Sequence, residues 1–224
     1  MKFKSYSKKA RTERLHIVVT QLKELFPTVK AALTYNNNWQ FLIAVLMSAQ
    51  TTDKQVNKVT DVLFKKYPDP KDYINLSQKE MEQEINSIGL YRNKAKNILA
   101  TAKIIVNDYK GEIPNNMEQL IELHGVGRKT ANVVLAEIFN DPVGIAVDTH
   151  VTRLALKFGI VTEKTPVKIE NQLKEILPKQ EWTTFTLRMI EYGRNYSPAH
   201  NKTMDDVISI QLITSDSPAA QRGD

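Results

Sequence analysis

Apolar residues in this chain return at the spacing of an α-helix almost wherever they occur, and that periodicity is its strongest constraint. Leu15, Val18, Val19, Leu22 and Leu25 fall on one helical face, as do Ile98, Ala102, Ile105 and Val106, whereas sustained alternation of period two is scarce. The pattern predicts an all-α fold. Breaks fall at Pro27, the Asn36-Asn37-Asn38 run, Pro68, Pro70, Gly89, Gly111 to Pro114, Gly125 to Gly127, Asp141-Pro142, Gly159, Pro166, Pro178 and Pro198. They predict roughly ten or more short helices. With 224 residues, 42% of them hydrophobic, there is apolar surface enough for one large or two modest domains. No internal repeat is visible, and the polar stretch 214–224 reads as a disordered tail.

Charge and cysteine content narrow the function classes. Thirty-one Lys and Arg against 25 Asp and Glu leave a net charge of +6, which favours a polyanionic partner without demanding one. Part of the excess is local: before residue 15, Lys2, Lys4, Lys8, Lys9, Arg11 and Arg14 face only Glu13. Such an arm is either a solvated tail or a source of salt-sensitive phosphate affinity. The chain has no cysteine, so disulfides, thiolate metal sites and cysteine-held iron–sulfur clusters are excluded by chemistry. The longest apolar run, Phe41 to Met47, is far shorter than the ~20 residues that span a bilayer, and no apolar signal core opens the chain, so it reads as intracellular.

The segment most suggestive of chemistry is Leu123-His124-Gly125-Val126-Gly127-Arg128-Lys129-Thr130-Ala131-Asn132, followed by the helical face Ala131, Val134, Leu135 and Ile138. Met117, Leu120 and Ile121 suggest a helix before it, so the pattern is helix, glycine hairpin, helix. The two glycines can take backbone angles closed to other residues and turn peptide N–H groups outward at a helix amino end, where a phosphate is favoured. Taken alone, Gly-x-Gly before a helix is also just a tight turn. Lys129 falls in the first turn of the second helix. There the helix dipole disfavours a protonated amine, and partial burial would lower its pKa further, toward the neutral form that Schiff-base formation requires. A first-turn Lys can equally bind phosphate or solvent.

Downstream, Val147-Asp148-Thr149-His150-Val151 leads into a helix with Val151, Leu154, Ala155 and Phe158 on one face. Asp148 occupies an N-cap position, which by itself would explain an Asp. Capping is compatible with a second role, because a carboxylate kept ionised by N–H donors can stabilise an oxocarbenium ion or help deprotonate an amine.

Together, the hairpin from Gly125 to Val134 and the Val147 to His150 segment resemble endonuclease III of the helix-hairpin-helix DNA glycosylase superfamily, with the likeness running over roughly residues 10–197. The resemblance implies two helical domains, residues 30–141 with the hairpin and residues 1–29 plus 142–213, with a DNA-binding cleft between them. It implies a bifunctional glycosylase and AP lyase that removes oxidised pyrimidines such as thymine glycol. Lys129 would attack the sugar C1′, Asp148 would be the essential carboxylate, and β-elimination would follow. Gln50, in Leu46 to Asp53, would enter the space left by a flipped nucleotide, and Leu90, in Ile88-Gly89-Leu90-Tyr91, would be the wedge. Without the resemblance, Asp53 would be read as a helix cap and Leu90 as packed in a turn. Gly125, Val126, Gly127, Arg128 and Thr130 would meet the DNA backbone, and His150 would contact phosphate or merely cap and pack.

Two departures from the family pattern stand out. His124 replaces the usual Pro of the hairpin, which predicts a less rigid loop. The family's cluster spacing, Cys-x6-Cys-x2-Cys-x5-Cys, falls on Ser197, Met204, Val207 and Ile213. None can act as a cluster thiolate, so the expectation is no metal, no cofactor, and a carboxy-terminal segment held by ordinary packing of Met204, Val207, Ile208 and Leu212. The expected partner is double-stranded DNA carrying damaged bases or abasic sites, bound by a monomer with no membrane association, in the cytoplasm and on the nucleoid if the source is prokaryotic. Other readings are a relative with a different lesion preference, an enzyme reduced to AP lyase activity, and a non-catalytic DNA-binding module. Lys129 argues against the family's monofunctional members, which lack a Lys there.

Overall fold

A computed structural model describes residues 6–200 and 203–216. Among them the chain forms twelve α-helices and one short 3-10 helix, with no strand. The contacts divide it into two compact units, one made of residues 1–30 and 144–224 and the other of residues 31–143. No helix among the described residues is long and apolar enough to cross a membrane.

The unit of residues 31–143 is built around α2 (Asn38–Ser48), in which every residue from Trp39 to Met47 is buried. A helix that is apolar on all sides belongs inside a core, and this accounts for the longest apolar run in the sequence. The Asn run acts as its start signal: Asn37 is the N-cap, its Oδ1 accepting from the Gln40 N–H at 2.9 Å. Packed on α2 are α3 (Asp53–Lys66), α6 (Tyr91–Asn107) and α8 (Arg128–Ile138). Thr52, rather than Asp53, caps α3, accepting from the Gln55 N–H at 3.3 Å. Two short helices, α4 (Pro70–Tyr73) and α5 (Gln78–Glu84), pack on α6, and α7 (Met117–Glu122) packs on α8.

The other unit contains α1 (Lys8–Leu25), α9 (Thr149–Lys157), α10 (Pro166–Lys174), the 3-10 turn Lys179–Glu181, α11 (Trp182–Asn195) and α12 (Val207–Ser215). Leu15, Val18 and Leu22 of α1 share a core with Phe158, Phe185, Met189, Tyr192, Ile208 and Leu212. Two residues of the basic arm are structural rather than solvated. Arg11 and Arg14 are buried, and Arg14 donates to the Phe158 carbonyl and to the Asp216 carboxylate, both at 2.7 Å, while lying 4.3 Å over the Tyr6 ring. Lys8 and Lys9 are exposed, and Lys2 and Lys4 lie outside the described residues.

The carboxy-terminal segment departs from its expected packing. Ile208 and Leu212 are fully buried, but Val207 is exposed and Met204 half-buried, and the interior positions beside them belong to Asp206 and Ser209. Asp206 Oδ2 pairs with Lys157 Nζ at 2.6 Å and accepts from Ser209 Oγ at 2.8 Å, while its Oδ1 accepts from the Tyr192 hydroxyl and the Ser209 N–H. Lys157 also donates to Ser197 Oγ at 2.9 Å, and Arg153 donates to the Ser197 carbonyl at 2.6 Å. A buried polar latch therefore joins α9, α11 and α12 where hydrophobic packing alone was expected. Burial pushes the Asp206 carboxyl up, but donation from Lys157, Tyr192 and Ser209 outweighs it and holds the group below the ordinary carboxylate range. Thr214 and Ser215, expected in the disordered tail, close α12, and residues 217–224 of that tail lie outside the described residues.

Candidate active site and nucleic-acid interface

The hairpin is anchored by its two apolar residues. Leu123 and Val126 are buried in the core of the unit of residues 31–143, and the Val126 N–H bonds back to the Leu123 carbonyl at 3.0 Å. Val126, expected at a DNA interface, thus has its side chain inside and its N–H occupied, and it shapes the loop from within. Gly125 needs to be glycine on two counts: its φ is +81°, and a Cβ there would stand 2.8 Å from Asn97 Nδ2. Gly127 differs from the expectation. Its φ of −95° and ψ of 174° are open to any residue, and nothing lies within 4 Å of where its Cβ would be.

What Gly127 contributes is the absence of a cap. It is the N-cap of α8, and without a side chain it leaves the first-turn N–H groups of that helix without a side-chain cap. Gly127, Arg128 and Lys129 are exposed and Thr130 is half-buried, so the positive end of the helix dipole faces outward beside the Lys129 side chain. The partial burial expected of Lys129 is not present, because the first turn of α8 projects it away from the core. His124, also exposed, stands where a Pro was expected, and the loop is tied down instead by Thr101 Oγ1 donating to the His124 carbonyl at 3.1 Å.

In the other unit, Asp148 is the N-cap of α9, as its position in the sequence indicates. Its Oδ1 accepts from the Val151 N–H at 2.8 Å, and the side chain is half-buried. One turn on, burial pulls the Arg153 guanidinium down, while the charges of Asp206 and Asp148 draw it back up, so Asp148 sits in the field of a fixed cation. His150 packs rather than projects. A Cβ on Gly193 of α11 would come within 2.3 Å of His150 Nδ1, which is enclosed without a hydrogen-bond partner, so any phosphate contact falls to Nε2.

Gln50 and Leu90 occupy two neighbouring turns of the unit of residues 31–143. Both are exposed, and both adopt left-handed backbone angles rare for such side chains, with φ of 55° and 59°. Between them lies a residue that the sequence reading did not single out. Lys94, in the first turn of α6, is only 6% exposed, and its Nζ donates to the carbonyls of Met47 at 2.7 Å and Ala49 at 2.5 Å and to Thr51 Oγ1 at 3.2 Å. Thr51 Oγ1 also accepts from the Gly89 N–H at 3.1 Å. Burial brings the Lys94 ammonium down to about 8. The available signal was its spacing: Lys94 precedes Ile98 and Ala102 at i, i+4, i+8, a lysine on an apolar face.

Among the described residues no group of three or more His, Cys, Asp or Glu could hold a metal ion. At the family's cluster positions, Ser197 is engaged by Lys157 and Arg153, and Met204, Val207 and Ile213 supply no thiolate. An iron–sulfur cluster does not fit these residues.

Comparison with known proteins follows the same lines. The sequence profile of the HhH-GPD superfamily base excision DNA repair proteins matches residues 43–179. Endonuclease III of Synechocystis sp. is 42% identical over 191 residues, covering 85% of this chain and 86% of that protein. A solved structure of a non-covalent endonuclease III–DNA complex superposes with a TM-score of 0.85 at 40% identity, covering 90% of this chain and 94% of the other. A trapped endonuclease III–DNA covalent intermediate superposes with a TM-score of 0.83 at 38% identity, over 90% of this chain and 98% of the other.

Proposed function

The chain belongs to the HhH-GPD superfamily of base excision DNA repair proteins, and within it to the endonuclease III family, and from that premise we propose that Lys129 and Asp148 carry its chemistry. The protein is a bifunctional DNA glycosylase and AP lyase. The observation that carries the residue assignment is the amino end of α8, which lacks a side-chain cap and presents an exposed primary amine.

In the proposed reaction, phosphates flanking the lesion bind the open α8 terminus. The Lys129 amine bonds to C1′ as the glycosidic C–N bond breaks, and the base leaves with that electron pair and takes up the proton that the amine sheds. Asp148, at the start of α9, stabilises positive charge developing on the sugar. Ring opening gives an iminium, loss of a C2′ proton expels the 3′ phosphate, and water then releases the enzyme. Oxidised pyrimidines such as thymine glycol, or abasic sites, in double-stranded DNA are the proposed substrates. Gln50 and Leu90 fill the vacated space, and Arg128, Thr130 and His150 steady the backbone. A monomer without an iron–sulfur cluster, in the cytoplasm and on the nucleoid, completes the reading.

The test is borohydride reduction in the presence of thymine glycol or abasic duplexes. The wild-type chain should give a covalent adduct, and Lys129→Gln should lower its yield by at least ~1,000-fold with DNA affinity changed little. Efficient trapping by Lys129→Gln would show the nucleophile to be misassigned.

A further inference from the structure

We propose that Lys94 is the positioning residue of the DNA wedge: its buried ammonium clips the Gln50 loop to the Leu90 turn and holds both side chains ready to insert. The inference rests on the reading of Gln50 and Leu90 given above, and it goes beyond that reading by naming what sets their geometry.

Three observations converge on Lys94. Its Nζ meets three acceptors, two of them carbonyls of the loop that ends α2 and the third the Thr51 hydroxyl. That hydroxyl also receives the Gly89 N–H, so Lys94 and Thr51 together tie residues 47–51 to the turn that begins α6. The turns are also in van der Waals contact, since a Cβ on Gly89 would stand 2.8 Å from the Gln50 carbonyl oxygen.

The joined turns leave Gln50 and Leu90 in left-handed conformations that cost ~1 kcal/mol or more each and persist only where surrounding structure enforces them. Leu90 is 55% exposed, so no core contact of its own side chain supplies the restraint. An ammonium suits this task better than an amide or hydroxyl, because it has three donors and no acceptor and here each donor is matched. A burial of this kind is costly unless the charge is fully hydrogen-bonded, which makes a role in plain packing a poor use of a lysine.

The experiment compares two substrates carrying the same abasic site, one in a duplex and one in a single strand that leaves no stacked hole to fill. Lys94→Met should lower the duplex-to-single-strand ratio of single-turnover trapping rates by ~10-fold or more. In a Gln50→Ala/Leu90→Ala background the same substitution should change the ratio by less than ~2-fold, because its effect passes through those two side chains. Thr51→Val removes the shared acceptor while leaving the Lys94 ammonium on its two carbonyls, and should lower the ratio by ~3-fold or more. It decides the question if Lys94→Met does not fold. A ratio unchanged in the variant that folds, or a full Lys94→Met effect in the double-alanine background, overturns the proposal. Absence of trapping by the wild-type chain on both substrates would instead overturn the reading of Lys129.

Discussion

Replacing Lys157 by Met isolates the buried latch that holds α12. The side chains of Lys157 and Asp206 are 9% and 0% exposed and lie 2.6 Å apart, so the substitution strands an ionised carboxylate inside the protein. Removing one partner of such a pair costs ~3–5 kcal/mol. Asp206 keeps the Tyr192 hydroxyl, the Ser209 hydroxyl and the Ser209 N–H, which places the loss at the lower end, ~3 kcal/mol. With an m-value of ~1.5 kcal/mol per molar urea, the unfolding midpoint should drop by about 2 M. Tryptophan fluorescence reads it in a Trp39→Phe background, where the signal comes from Trp182, in the same core as α12.

Two controls sharpen this test. Asp206→Asn added to Lys157→Met removes the stranded charge while keeping an acceptor for the α12 cap, and should recover ~1–2 kcal/mol. The pH dependence has a defined sign. Asp206 is depressed in the folded state, so its stabilisation is present above the unfolded carboxylate value near ~3.9 and is lost as pH falls through the folded value. The gap between wild type and Lys157→Met should therefore narrow on acidification. A midpoint shift below ~0.5 M, or no recovery in the double variant, would refute the claim that this ion pair secures the segment.

Other substitutions separate structure from chemistry. Asp148→Asn retains a capping oxygen and should hold stability within ~0.5 kcal/mol, whereas Asp148→Ala should lose ~1 kcal/mol, both measured by thermal unfolding. Both should slow base release by ~100-fold or more, and full activity in Asp148→Asn would reduce this residue to a cap. Gly125→Ala meets both a φ of +81° and the Asn97 amide, and should destabilise the chain by ~1–2 kcal/mol, while Gly127→Ala should cost little stability. Equal losses at the two glycines would contradict their different geometries. Arg14→Met should destabilise through its lost bonds to Phe158 and Asp216, with the salt dependence of DNA binding unchanged. A shallower salt slope would return Arg14 to the phosphate-binding arm.

Local signals were readable because local geometry alone determines them. Helical spacing marked α1 and α6, the Asn run marked a break, Asp148 announced a helix start, and Gly125 lies in a turn that its neighbours already require. The zero cysteine count showed without any structure that no cysteine of this chain can hold a cluster. Gly127 was misread because a glycine shows in sequence that a strained angle is permitted, not that it is used. Val126 was placed at the interface by its motif, yet its apolar side chain turns inward.

The sequence by itself thus determined the all-helical class, the hairpin with its lysine, and the carboxylate at the start of α9. Only the tertiary structure decided which charged residues go inside and what meets them there. Arg14 finds the Phe158 carbonyl 144 positions away, Lys94 reaches the Met47 carbonyl across 47, and Lys157 pairs with Asp206 from another helix. Periodicity shows which face of a helix is buried, but the partner on the far side is set by chain packing, and a buried charge is tolerable only where that partner stands.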